Sequence, residues 1–169
     1  MRRTLELAVA VLLFIVHSVS ASPPQPVELK PIDHLDATLT VRAHDGTEVV
    51  YTVADLEVFP TYRVTTATPW RPEPAMFEGV LLRDILSANG LDEVGSILVT
   101  AENDYTTKMT RDLWQSVDIL VSTRVNGAPN SRRTRGPILF VIEQGVFESS
   151  NLTSESNLVW MAARIEADN

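Results

Sequence analysis

Apolar residues in this chain come in short runs, and their spacing changes from one run to the next. From Thr38 the pattern alternates: Leu39 and Val41 stand among polar neighbours, His44-Asp45-Gly46 supplies a turn, and Val49, Tyr51 and Val53 resume the alternation. Alternation on both sides of a glycine-containing turn predicts a β-hairpin. Ala54 to Val58 reads as a short helical turn, and the β-branched stretch from Tyr62 to Thr68 as a strand. Between Trp70 and Phe77, Pro72 and Pro74 argue against regular helix, so this segment is expected to be a shaped loop. Leu81, Leu82, Ile85, Leu86 and Ala88 recur at helical spacing until Asn89-Gly90 stops them, which predicts a short helix over 81–88.

Further along, Ser96 to Ala101 and Ile119 to Val125 read as strands, the second closed by Asn126-Gly127, with a helical turn over Thr110 to Gln115 between them. Pro137 to Ile142 is a short apolar strand expected to be buried on both faces, and Val159 to Ile165 is the last strand. The chain has no internal repeat. Many short strands, with a few short helices that do not alternate regularly with them, predict a single α+β domain over residues 38–169.

The first residues have a different character. Arg2 and Arg3 precede an apolar run from Leu7 to Val16, and Val19-Ser20-Ala21 forms a small-residue cleavage pattern. Residues 1–21 are therefore expected to be a cleaved signal peptide, since the apolar run is half of the roughly 20 residues that span a bilayer. Residues 22–37 follow as a leader with prolines at 23, 24, 26 and 31, either disordered or laid along the domain.

Charge narrows the function. The net charge is −8, and loss of Arg2, Arg3 and Glu6 with the signal takes it to −9. Nucleic acid is excluded as a partner, because phosphate-backbone binding needs clustered Lys and Arg. With no cysteine, the fold rests on a hydrophobic core rather than on disulfides, and thiol nucleophiles and thiolate metal sites are both excluded. His34 and His44 are the histidines beyond the signal, and both are expected to be solvated. No Gly-x-Ser-x-Gly elbow supports a hydrolase.

Candidate binding groups remain. Glu102-Asn103-Asp104 puts two carboxylates at a strand end, either solvated or paired for acid–base work. Asp104 has a further use, because a carboxylate can take two parallel hydrogen bonds from a 2-amino-4-oxo-pyrimidine edge. Trp70, Phe77 and Tyr105 sit at loop or strand ends, where aromatic faces either fill core or receive a flat heterocycle; Trp114 and Trp160 read as core. Arg132, Arg133 and Arg135 form the dense basic cluster, suited either to a phosphate or carboxylate tail or to pairing with the protein's own acids.

Five short patterns occur in order: Thr68-Pro69-Trp70, Phe77-Glu78-Gly79-Val80-Leu81-Leu82, Asn103-Asp104-Tyr105, Arg135-Gly136-Pro137 and Val159-Trp160. Together they resemble the molybdopterin-binding domain of the sulfite-oxidase superfamily. In particular, the chain is similar to its short, cysteine-free periplasmic members, the PruR-type pterin-binding proteins. The resemblance implies a sulfite-oxidase-like fold of mixed β-sheets, and a reduced pterin bound without metal by Thr68, Trp70, Phe77, Asn103, Asp104, Tyr105 and Arg135. Molybdenum is not expected, since the superfamily's enzymes hold it through a cysteine thiolate. The implied role is a non-catalytic periplasmic sensor acting on the periplasmic domain of an inner-membrane enzyme that makes or degrades cyclic di-GMP. The Trp70 to Phe77 loop is the candidate partner-facing surface. The alternatives are a ligand-free interaction subunit, a molybdopterin oxidoreductase with a non-cysteine metal site, or a pterin-transforming enzyme using Asp104. The chain departs from the short members at Ser156-Asn157-Leu158-Val159-Trp160, which lacks their basic residue, and at Ile142-Glu143, which replaces a Tyr-Pro pair.

Overall fold

A computed structural model describes residues 22–168; the expected signal peptide lies outside the described residues. Two sheets carry the fold. In the first, β1 (Gln25–Pro26), β4 (Thr61–Thr68), β5 (Arg71–Leu81), β8 (Leu120–Val125) and β10 (Leu139–Val141) lie side by side in that order, with β9 (Ala128–Pro129) paired to β8. In the second the order is β3 (Glu48–Thr52), β2 (Thr38–Arg42), β11 (Ala162–Ala167), β6 (Ser96–Ala101) and β7 (Thr106–Thr110). All pairings are antiparallel except that of β11 with β2.

Four short α-helices, α1 (Val53–Leu56), α2 (Leu82–Ala88), α3 (Arg111–Ser116) and α4 (Gln144–Ser149), and two single 3-10 turns, Arg132–Thr134 and Glu155–Asn157, complete the described elements. Thr52 caps α1 through its side chain, which accepts from the Asp55 amide while the Asp55 carboxylate accepts from the Thr52 amide. The inward side chains of both sheets meet in one core: Leu39 and Val41 of β2, Ile97 and Val99 of β6 and Ile165 of β11 join Val80, Val121 and Phe140 of the first sheet. Leu82, Ile85 and Leu86 of α2 bury their helical stripe in it. The opposite face of the first sheet carries a second cluster, with Val64, Ala75, Phe77, Leu81, Leu120 and Leu139.

The expected hairpin, the helix after Leu81 and the strands at 96–101, 120–125 and 139–141 all form. Three expectations need correction. The shaped loop after Trp70 is the first half of β5, paired with β4 from Thr68↔Arg71 onward. Its prolines are tolerated because β8 reaches only Phe77 to Leu81, so Pro72 and Pro74 lie where β5 has one neighbour and no missing N–H is felt. The last strand begins at Ala162 rather than Val159, because Met161 takes a left-handed φ of 51° and turns the chain. His34 is half-buried rather than solvated, its side chain 8% exposed and its Nε2 donating to Glu57 at 3.0 Å.

That last contact ties the leader to the domain. Gln25 and Pro26 pair with Arg63 and Tyr62 of β4, and the Lys30 carbonyl accepts from Arg124 Nη2 at 2.9 Å. Glu57 lies at the centre, accepting from His34, from Thr123 Oγ1 at 2.6 Å and from the Arg124 guanidinium through both Nε and Nη2. Burial pushes the Glu57 carboxyl up. The hydrogen bonds from Arg124 and Thr123 and the nearness of His34 outweigh it and hold the carboxyl below the ordinary glutamate range.

Candidate functional site: an aromatic junction between clefts

The residues singled out from the sequence gather around one junction without sharing one cavity. Trp70 follows β4 and Trp160 precedes β11, and their rings meet edge to face with centroids 5.2 Å apart. The Arg135 guanidinium lies over both, its carbon 3.5 Å from the Trp160 centroid and 4.9 Å from that of Trp70. Cation–π contacts of this kind contribute about 0.5–2 kcal/mol.

Local backbone geometry delivers Arg135 there. Ser131 and Thr134 close a capping box around a single helical turn, and Arg135 ends it in the left-handed region at φ 71°. Gly136 follows because there is no room for a side chain: a Cβ there would stand 2.4 Å from that of Asn130. The Met161 amide then donates to the Arg135 carbonyl at 3.1 Å, which pins the arginine loop to the segment carrying Trp160.

Clefts open on either side of this stack. One, of about 340 Å³, is walled by Asn103, Tyr105, Leu158, Val159 and Trp160, with Glu155 at its edge. Apolar walls, two aromatic rings and a few polar groups are what a small flat ligand requires. Trp160, expected in the core, is 39% exposed and forms part of this wall. Trp114, by contrast, is buried as expected. A second cleft, of about 280 Å³, is lined by Trp70, Arg71, Phe77, Arg133 and Arg135. Thr68 lines a third, of about 240 Å³, beneath α4, with its buried Oγ1 lacking a hydrogen-bond partner among the described residues.

The seven residues therefore divide: Asn103 and Tyr105 in the first cleft, Trp70, Phe77 and Arg135 in the second, Thr68 in the third. Asp104 lines none of the three; it sits at φ 65° in the exposed turn between β6 and β7. Glu155 and Trp160 were missed from sequence. The available signal was the run Ser154-Glu155-Ser156-Asn157, which closes a capping box with the Ser154 amide donating to Asn157 Oδ1 at 2.7 Å and so marks a turn immediately before the apolar run.

The arginine cluster also divides. Arg132 is held by a bidentate pair to Glu102 at 2.9 and 2.8 Å, whereas Arg133 and Arg135 have no carboxylate partner among the described residues. Among the described residues no three His, Cys, Asp or Glu side chains converge on a metal-sized space. With no cysteine in the sequence, this donor set does not fit molybdenum. In the first cleft Tyr105 and Trp160 supply aromatic walls, and Glu155 and Asn103 supply side-chain oxygen acceptors.

No protein-family model matches the chain, and no curated protein matches it. Among solved structures it resembles the crystal structure of the sulfane dehydrogenase SoxCD from Paracoccus pantotrophus, with a TM-score of 0.60 at 15% sequence identity. The match covers 82% of this chain and 39% of that one, so the chain spans well under half of the enzyme polypeptide it resembles. A likeness at this identity carries the fold alone. The α+β, sulfite-oxidase-like architecture of mixed sheets and short helices is the one this chain adopts.

Proposed function

We propose that this protein is an exported, non-catalytic pterin sensor of the PruR type, which signals its occupancy to the periplasmic domain of an inner-membrane enzyme of cyclic di-GMP metabolism. The observation that carries the reading is the cleft of about 340 Å³ in which Asn103 and Tyr105 meet Trp160 beside the Glu155 carboxylate. In this reading the pterin ring packs on Trp160 and Tyr105. Glu155, rather than Asp104, takes the paired hydrogen bonds of the pyrimidine edge. The partner reads the rim, where Tyr105 and Trp160 are both exposed.

The test is mass spectrometry and fluorescence of small molecules released by denaturing protein recovered from the periplasm. A stoichiometric reduced pterin is expected in the wild type and in Asp104→Ala. Trp160→Ala is expected to weaken binding by about tenfold or more, as loss of one stacking face does. Wild-type protein that carries no pterin and binds none when it is added would sink the reading. It would leave the ligand-free interaction subunit, which the stacking of Arg135 on Trp160 favours because part of the aromatic surface is already covered.

A further inference from the structure

We propose that a second copy of this chain docks on the free edge of β3, the two β3 strands running antiparallel about a two-fold axis so that the second sheet continues from one copy into the other. The backbone carries the argument. The Ala43 amide donates to the Thr47 carbonyl at 2.8 Å, and hydrogen-bonded and non-hydrogen-bonded pairs alternate from there along β2 and β3. Arg42↔Glu48, Thr40↔Val50 and Thr38↔Thr52 are therefore the non-hydrogen-bonded pairs, and the N–H and C=O groups of Glu48, Val50 and Thr52 point away from β2. Among the described residues no strand lies beyond them, since β3 ends its sheet. The Thr52 amide is taken by the Asp55 carboxylate at 2.9 Å, which leaves Glu48 and Val50 free to pair.

The other sheet edges are covered or polar. The Phe140 and Ala162 amides tie the outer side of β10 to the segment before β11, and β1 pairs with β4. On β7 the exposed side chains are Thr106, Lys108 and Thr110. β3 instead exposes Val49 at 36% and Val50 at 58%, and an apolar edge of this kind is a template for another strand. A second copy meets it with matching groups. When Val49 stands opposite Val49 of the other copy, each Glu48 faces a Val50, and every such pair exchanges both N–H···O=C bonds. Like charges do not meet in this register. The Glu48 carboxylate is already bonded to Arg164 at 2.8 Å and lies 3.9 Å from Arg42, so the edge brings an answered charge to the axis. A register centred on Val50 would call on the occupied Thr52 amide, and one centred on Glu48 would oppose two carboxylates. So short an edge belongs with the weak associations, below about 1,200 Å². No β3 residue lines the three clefts around the aromatic junction, and the inference does not rest on pterin binding.

Sedimentation equilibrium over roughly 1 μM to 1 mM protein at physiological ionic strength tests it. A reversible monomer–dimer equilibrium is expected, and it stops at the dimer because the two-fold axis leaves no β3 edge free. Val50→Pro removes an outward N–H and spares the ladder with β2, while Val49→Lys sets like charges together on the axis. Each should weaken association by about tenfold or more with the far-UV circular dichroism unchanged. The cysteine-free sequence permits an independent measurement. Val49→Cys should form an intermolecular disulfide under oxidised glutathione about tenfold or more faster than Val58→Cys, although Val58 is 85% exposed, because only the first pair of thiols is brought within bonding distance. A wild type that stays monomeric throughout, a dimer that survives both β3 variants, growth beyond the dimer, or equal rates for the two thiols would each overturn the inference.

Discussion

Gly79 shows how a glycine inside a conspicuous sequence pattern can have a purely steric task. A Cβ at this position would lie 2.1 Å from the Val121 carbonyl oxygen and 2.8 Å from the Ser122 Cα, so β5 and β8 approach as closely as they do only because it is absent. Gly79→Ala must push the two strands apart, and a loss of about 1–3 kcal/mol or more is expected, read as a lower urea midpoint. Glu57 makes a different demand. Its folded carboxyl lies below the ordinary glutamate value. Its contribution to stability is therefore complete above that ordinary value and lost as pH falls through the depressed folded one. Glu57→Gln takes from the buried Arg124 its hydrogen-bonded carboxylate and leaves only the more distant Glu78, at a cost of about 3 kcal/mol at neutral pH. It should also flatten the acid limb of the stability profile, and an unchanged limb would count against this account.

At the scale of elements, legibility followed hydrogen-bonding environment. The β2–β3 hairpin was readable because Leu39 and Val41 face the core while their neighbours do not, so alternation survives in the sequence. β10 was readable because Leu139, Phe140 and Val141 are all buried, giving an unbroken apolar run. The first half of β5 was illegible because proline reports what a strand interior forbids and is silent on a strand with one neighbour. β7 was missed although Thr107 and Met109 point inward, since Thr106, Lys108 and Thr110 on its outer face dilute the signal. The site was legible as a set of residues and illegible as a set of cavities. Trp70 and Arg135 come together, as do Asn103 and Tyr105, but the division between them is made by Trp160, which a turn at Met161 swings out of an apparently continuous strand.

For the whole molecule, the leader acts as a strap across the first sheet. Without it, Arg124 loses the Lys30 carbonyl, Glu57 loses His34, and the outer edge of β4 loses β1. A chain beginning at Ala37 is expected to melt roughly 5 °C or more below the protein that retains residues 22–36, as scanning calorimetry would show. An unchanged melting point would mean that the strap lies on the domain without supporting it. The position of β11 bears on the order in which the molecule can be built. It lies between β2, which it pairs in parallel, and β6. Without the segment beyond Met161 this sheet consists of two separate hairpins, β2–β3 and β6–β7, with no strand between them. Order in this half of the protein therefore arrives in one step, and a chain truncated before Ala162 would display two unmatched strand edges to its surroundings.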